Sequence, residues 1–231
     1  MSDTPADPTP GPAAVWCIVV AAGSGRRYGG AKQFDELGGQ RVLDRSVAVA
    51  RRTCDGVVVV VAPAAIGTPD AEVPGADRVV AGGDTRAASV RAGLGVVPDD
   101  AAVVLVHDAA RPLATDALFD RVIAAVRAGA RAVVPAVPVT DTVRHLDGGV
   151  VDRDLLRAVQ TPQGFRPSAL RAAHADASDA TDDAALVERA GGTVVLVDGE
   201  ESNIKITGPQ DRAVAAAILA GRAHEGGDSA R

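Results

Sequence analysis

The sequence predicts an α/β fold, a Rossmann-like, mostly parallel sheet with helices on both faces and a protruding β-arm. Three observations carry that prediction. Short, uninterrupted valine-rich runs alternate with segments of helical spacing, the pattern of strands buried on both faces and joined by helical crossovers. Aromatic residues make up only 2% of the chain (Trp16, Tyr28, Phe34, Phe119 and Phe165), so the core must be aliphatic. A stretch near 137–157 breaks the alternation with short apolar pieces around a glycine pair.

Taken in order, residues 1–13 are rich in Pro, Asp and Thr, lack periodicity and read as a disordered leader. Val15–Val20 is a buried strand running directly into a glycine-rich loop. Arg41–Arg52 has helical spacing, with Val42, Leu43 and Val47 apolar. Val57–Val61 is five consecutive valines, too β-branched and too short for a helix. Val79-Val80 precedes Gly82-Gly83-Asp84, and Ser89–Val97 is the next helix. Val103–Val106 is a strand followed by His107-Asp108. Asp116–Ala128 is an amphipathic helix and Ala132–Val134 a strand. Within 137–157, Gly148-Gly149 supplies a hairpin turn, so this stretch reads as the β-arm. An arm carrying buried-type valines either packs back on its own body or, the preferred reading, clasps a second copy in a homodimer. A short helix near Pro167–Ala175, a helix from Thr181-Asp182-Asp183 to Ala190 and strands at Thr193–Val197 and Asn203–Thr207 follow. Pro209–Ala220 closes the fold, with proline at its first turn. Residues 222–231 read as a disordered tail. With no repeat and no linker, 14–221 form one domain.

The chain has 231 residues, 47% hydrophobic and 23% charged, an ordinary globular composition. No run approaches the roughly 18 apolar residues that span a bilayer, and the N-terminus lacks a basic start before an apolar core. Membrane and secretory roles are thereby disfavoured, and a cytoplasmic location is expected. Cys17 and Cys54 match no metal spacing and read as buried thiols. A net charge of −6 and few rings for stacking argue against nucleic acid as a partner.

The cations are informative. Of 24 Lys and Arg, 22 are Arg, leaving Lys32 and Lys205. Each lysine is either a chance survivor on the surface or a place where a compact, mobile ammonium cannot be exchanged for a planar fork. Lys32 closes the loop Ala21-Ala22-Gly23-Ser24-Gly25-Arg26-Arg27-Tyr28-Gly29-Gly30-Ala31-Lys32. Its glycines can turn backbone N–H groups toward an anion. The dinucleotide fingerprint fails at Tyr28, and the P-loop fails at Ala31-Lys32-Gln33. What remains is a glycine loop with three cations, Arg26, Arg27 and Lys32, suited to a triphosphate. The plainer reading of Arg26 and Arg27 is a solvated surface pair. Lys205 lies between Ile204 and Ile206, where an ammonium is costly unless it reaches water or an anion. Asp108 follows a strand at the edge where such sheets bind ligands, placed to hold Mg²⁺ or a hydroxyl. His107 reads better as a buried neutral residue. Neither a Gly-x-Ser-x-Gly elbow nor a zinc-like cluster is present.

Five segments together resemble the 2-C-methyl-D-erythritol 4-phosphate cytidylyltransferases of the non-mevalonate isoprenoid pathway. They are AAGSGRR with AKQF, VAGGDTRAASV, VHDAARP, QTPQGF, and TDDAALVE with NIKIT, spread in order from about Val15 to Ala220. The resemblance implies transfer of the cytidylyl group of CTP to a polyol phosphate, with Mg²⁺ held mainly through the phosphates. It also implies a β-arm that clasps a second subunit. Arg27 and Lys32 resemble the pair that contacts the triphosphate and stabilises the transition state. Ala21, Ala22, Gly23, Ser24, Gly25, Gly83, Asp84 and Ser89 resemble the nucleotide pocket. Asp108, also the candidate metal ligand, and Arg111 resemble crevice residues near sugar and metal. Arg153, Thr142 and Thr181 are similar to positions that reach the acceptor from the neighbouring subunit, and Lys205 to the residue that positions it for attack. The chain departs from the family pattern before Lys32, where Tyr28-Gly29-Gly30-Ala31 replaces a longer stretch ending in proline. Three alternatives stand beside this reading: another polyol phosphate such as ribitol 5-phosphate, a nucleotidyltransferase using another base, and a non-catalytic nucleotide sensor.

Overall fold

The computed structural model describes residues 14–23, 30–176, 179–180 and 182–228. In chain order the first half contains β1 (Val15–Ala21), a small hairpin of β2 (Glu36–Leu37) and β3 (Gln40–Arg41), α1 (Val42–Thr53), β4 (Gly56–Val61), β5 (Arg78–Ala81), α2 (Arg86–Leu94), β6 (Val103–Asp108) and α3 (Asp116–Arg127). The second half contains β7 (Ala132–Pro138), β8 (Val143–Arg144), β9 (Val150–Val151), β10 (Arg157–Val159), β11 (Gln163–Phe165), α4 (Pro167–Ala173), α5 (Asp183–Arg189), β12 (Val194–Asp198) and α6 (Pro209–Asp228).

Eight strands form one sheet. β1 lies between β4 and β6, with β5 beyond β4, and all these pairs are parallel. β11 is antiparallel to both β6 and β7, and β10 is antiparallel to the far end of β7. β12 runs parallel along the other edge of β7, because Ala132, Val133 and Ala136 each already have a partner on the first.

Pleating explains the valine runs. Val57, Val59 and Val61 face one side with Cys17, Val19, Leu43, Val47, Leu118 and Phe119, under α1 and α3. Val58 and Val60 face the other with Ile18, Val104, Val106, Val90, Leu170 and Leu186, under α2, α4 and α5. Every position is buried, so no polar alternation is left in the sequence. Cys17 and Cys54 are free and buried.

Threonine or aspartate side chains cap three of the described α-helices. Thr85, Thr115 and Asp182 accept from the N–H groups of Ala88, Leu118 and Ala185. The Thr85 cap starts α2 three residues before the expected Ser89, and the helix ends at Leu94 with Gly95 as its C-cap, short of the expected Val97.

Two expectations are corrected. Asn203–Thr207 is not a strand; it is an irregular segment whose Ile206 N–H donates to the Ala110 carbonyl at 2.8 Å. Ile204 and Ile206 are apolar because they pack in a separate small core with Leu37, Val42, Leu113 and Ala215, off the sheet. The final helix does not stop at Ala220, and the tail expected from Arg222 is helical through Asp228. Arg222 helps to hold it, donating to the Leu113 carbonyl (2.9 Å) and to Ser202 Oγ (2.7 Å).

The stretch 137–157 carries the predicted hairpin. β8 and β9 pair antiparallel, with Gly148 at φ 114° and Gly149 at φ 82°, left-handed conformations that glycine adopts without a Cβ clash. Leu146, Val150 and Leu155 on this arm are exposed. No described helix is long and apolar enough to cross a membrane.

Candidate active site

The C-terminal ends of β1, β4, β5 and β6 open into a cleft of about 690 Å³, at the sheet edge where this architecture places ligands. Its lining comes from Val20–Gly23 at the end of β1, Pro63 after β4, Gly83–Arg86 and Ser89 after β5, and Asp108–Ala110 at the end of β6. Lys32, Gln33, Lys205 and Thr207 complete it.

The wall formed after β1 and β5 is closely fitted. A Cβ on Gly82 would lie 2.6 Å from Ala22 Cβ and 2.7 Å from Ser89 Oγ, so glycine is what lets the two loops meet. Ser89, buried at the first turn of α2, accepts from the Gly83 N–H at 3.2 Å and donates to the Thr85 carbonyl at 3.0 Å. These bonds fix the loop whose backbone faces the cleft.

Lys32 begins a single 3₁₀ turn, Lys32–Phe34. Gln33 anchors that turn; it is buried and its Nε2 donates to the Ala21 carbonyl at 2.9 Å. Across from it, Asp211 accepts from Thr207 N–H (2.6 Å), Thr207 Oγ1 (2.6 Å) and Gly208 N–H (2.8 Å). Those bonds, with a further contribution from the charge of Lys32, hold the Asp211 carboxyl below the usual carboxylate range. The turn bearing Lys32 therefore faces the start of α6 and the segment bearing Lys205.

On the opposite side Lys205 Nζ lies 2.6 Å from Asp108 Oδ2. Arg86 Nε approaches Asp108 Oδ1 at 3.4 Å, while its Nη1 donates to Asp183 Oδ2 at 2.6 Å. Burial works against the charge of Asp108, but Arg86, Lys205 and Arg111 overcome it and keep the carboxyl ionised well below its ordinary range. Arg111 donates from Nη1 to the Asn203 carbonyl (2.7 Å) and from Nη2 to the Val159 carbonyl (3.2 Å). Together with Arg86, Asp108, Thr161, Gln163 and Lys205 it lines a smaller annex of about 180 Å³. His107 is buried, with Nε2 3.2 Å from the Arg111 carbonyl and Nδ1 3.0 Å from Thr161 Oγ1. Burial pulls its pKa down from 6.5 to about 4, so it is neutral at physiological pH.

Of the sequence-predicted residues, Ala21, Ala22, Gly23, Lys32, Gly83, Asp84, Ser89, Asp108 and Lys205 line the main cleft, and Arg111 lines the annex. Arg153 and Thr142 sit on the exposed arm and line neither, and Arg153 donates to the Thr140 carbonyl. Arg27, Ser24, Gly25 and Thr181 lie outside the described residues. Sequence reasoning missed Gln33, Arg86 and Asp183. Arg86 and Asp183 fall within quoted segments, but their partners lie 22 and 97 residues away, beyond any local spacing rule.

Two carboxylates, Asp84 and Asp108, line the cleft, and no group of three His, Cys, Asp or Glu gathers among the described residues. Such a donor set does not cage a metal. It suits Mg²⁺, which keeps several waters and takes one or two carboxylates together with substrate phosphates.

A family model described as 2-C-methyl-D-erythritol 4-phosphate cytidylyltransferase matches residues 15–221. A protein of that description from Rhodococcus opacus (strain B4) is 46% identical over 220 residues, covering 91% of this chain and 97% of that one. Another, from Frankia casuarinae, is 48% identical over 216 residues, covering 89% and 81%. Among solved structures, the 2-C-methyl-D-erythritol 4-phosphate cytidylyltransferase of Thermus thermophilus superposes with a TM-score of 0.76 at 38% identity, covering 89% of this chain and 98% of that one. The 4-diphosphocytidyl-2C-methyl-D-erythritol synthase of Anaerococcus prevotii gives 0.77 at 33% identity, with the same coverage.

Proposed function

The chain belongs to the 2-C-methyl-D-erythritol 4-phosphate cytidylyltransferase family, and we propose that Lys32 and Lys205 flank the reacting phosphates in its cleft. The enzyme is a CTP-dependent nucleotidyltransferase. It transfers the cytidylyl group of CTP to 2-C-methyl-D-erythritol 4-phosphate, giving 4-diphosphocytidyl-2-C-methyl-D-erythritol and pyrophosphate in isoprenoid precursor biosynthesis. The observation that carries our reading of the site is that the two lysines of a 231-residue chain line one cleft.

A phosphate oxygen of the acceptor attacks the α-phosphorus in line. The new P–O bond forms as the bond to the β-phosphate breaks, and the electron pair leaves with pyrophosphate. The attacking phosphate is already ionised near neutral pH, since its second pKa is about 6, so no strong base is required. A buried, neutral His107 is consistent with that economy. The protein's work is positioning and neutralising charge. Lys32, with Arg27, meets the triphosphate, and Lys205 meets the acceptor phosphate. Backbone groups of residues 21–25, and of 83–84 where Ser89 braces the loop, hold the nucleotide. Asp108 would be the protein's ligand to a Mg²⁺ otherwise held by phosphate oxygens; bound there, the ion neutralises phosphate charge.

The acceptor site is completed by a second copy, with Arg153 and Thr142 of the arm reaching it from the neighbouring subunit. The exposed leucines and valine of the arm support that homodimer, since isolated loops do not ordinarily present such side chains together. The place of work is the cytoplasm, consistent with two free buried thiols.

The test is pyrophosphate release with CTP and a panel of polyol phosphates. Release with 2-C-methyl-D-erythritol 4-phosphate at a kcat/KM far above that with ribitol 5-phosphate is expected. Preference for ribitol 5-phosphate, or no release with any acceptor, would overturn the assignment.

A further inference from the structure

Asp108 is touched by two cations of unequal freedom. Lys205 reaches Oδ2 from the solvent side, with 41% of its side chain exposed. Arg86 reaches Oδ1 from within, and it is tied from behind. Its Nη1 donates to Oδ2 of Asp183, whose side chain is 1% exposed and whose other oxygen lies 3.0 Å from His174 Nε2. Releasing Arg86 would strand the Asp183 charge out of water, a costly outcome. Moving Lys205 strands nothing, because its ammonium already borders the cleft.

On the reading given above, Lys205 meets the acceptor phosphate. Its ammonium has three donors, so it can turn toward that phosphate as it loosens its hold on Asp108, and a carboxylate left short of the protein's own counter-charge would repel an incoming phosphate. Arg111 also adds its charge near Asp108, but its hydrogen bonds go to the Asn203 and Val159 carbonyls, so Arg86 is the arginine in direct contact with the carboxylate. We propose that Arg86, clamped by Asp183, is the standing counter-charge of Asp108, which releases Lys205 to the acceptor phosphate. Arg86 and Asp183 are positioning residues: they act on the acceptor through Lys205 and touch neither reacting atom.

The test is a double-mutant cycle read in steady-state kinetics, on the wild type, Arg86→Gln, Lys205→Met and the double variant. Arg86→Gln should raise KM for the acceptor about tenfold, leaving kcat and KM for CTP within about threefold. With Lys205 already replaced, Arg86→Gln should add almost nothing. If Arg86→Gln strands Asp183 and fails to fold, Arg86→Gln/Asp183→Asn removes that charge and should show the same selective effect. An equal rise in both KM values, or an Arg86 effect that persists in full without Lys205, overturns the proposal. If Lys205→Met leaves the acceptor KM unchanged, the assignment of Lys205 itself falls, and this inference with it.

Discussion

Lys32 owes its place to the residue beside it. Gln33 is buried and bound to the Ala21 carbonyl, so the ammonium is delivered to the cleft by a fixed turn. A donor preorganised in this way is worth roughly 10²–10³ in turnover. Lys32→Ala should therefore lose that factor in kcat while melting within a few degrees of the wild type, measured by pyrophosphate release and calorimetry. A folded variant with near wild-type kcat contradicts the role. His107 permits a different prediction. Folding depresses its pKa from 6.5 to about 4, so its contribution to stability is complete above pH 6.5 and is lost as pH falls from there through 4. The total is about 3 kcal/mol, at about 1.4 kcal/mol for each tenfold change in proton affinity. Urea midpoints at pH 7 and pH 5 should fall steeply for the wild type and much less for His107→Gln; parallel slopes would refute the assignment. The two lysines were legible because composition had made lysine rare, and a neutral His107 because it follows the apolar run Val103–Val106. Arg86 and Asp183 were not, since their value lies in a contact between α2 and α5 that no local pattern records.

At the scale of elements, the sequence reads well wherever a segment is buried on both faces or has one apolar stripe. β1, β4, β6, α1 and α3 lie within two residues of expectation because a valine run or a helical stripe determines them. β10 and β11 are three residues each, and Gly164 interrupts the apolar pattern of the latter, so neither announces itself. Asn203–Thr207 misled for a physical reason: alternating burial arises from packing on any small core, not only from a sheet. The contact between the loops after β1 and β5 can be tested at Gly82. Its backbone tolerates a side chain, but the added Cβ would overlap Ala22 and Ser89. Gly82→Ala should cost about 1–3 kcal/mol of stability by overpacking. By pushing the two loops apart it should also raise KM for CTP, with little change in that for the acceptor. An unchanged CTP KM would separate this contact from nucleotide binding.

The molecule as a whole places two polyanions side by side in a protein of net charge −6, so the cations must be local rather than general. The sheet does this by bringing Lys32, Arg86 and Lys205 to one edge, from positions spread over most of the chain. The arm would add a cation from another subunit. Mixing Arg153→Ala and Lys205→Met proteins, each impaired alone, should then restore activity in hybrid dimers with one intact site; no recovery despite demonstrated exchange would confine each site to one chain. The most direct test is a crystal structure with the reaction product bound. Both lysine Nζ atoms should lie within about 3.2 Å of diphosphate oxygens, one on each side of the linkage just formed. Electron density placing either ammonium away from that diphosphate, with the other contacts intact, would contradict the account.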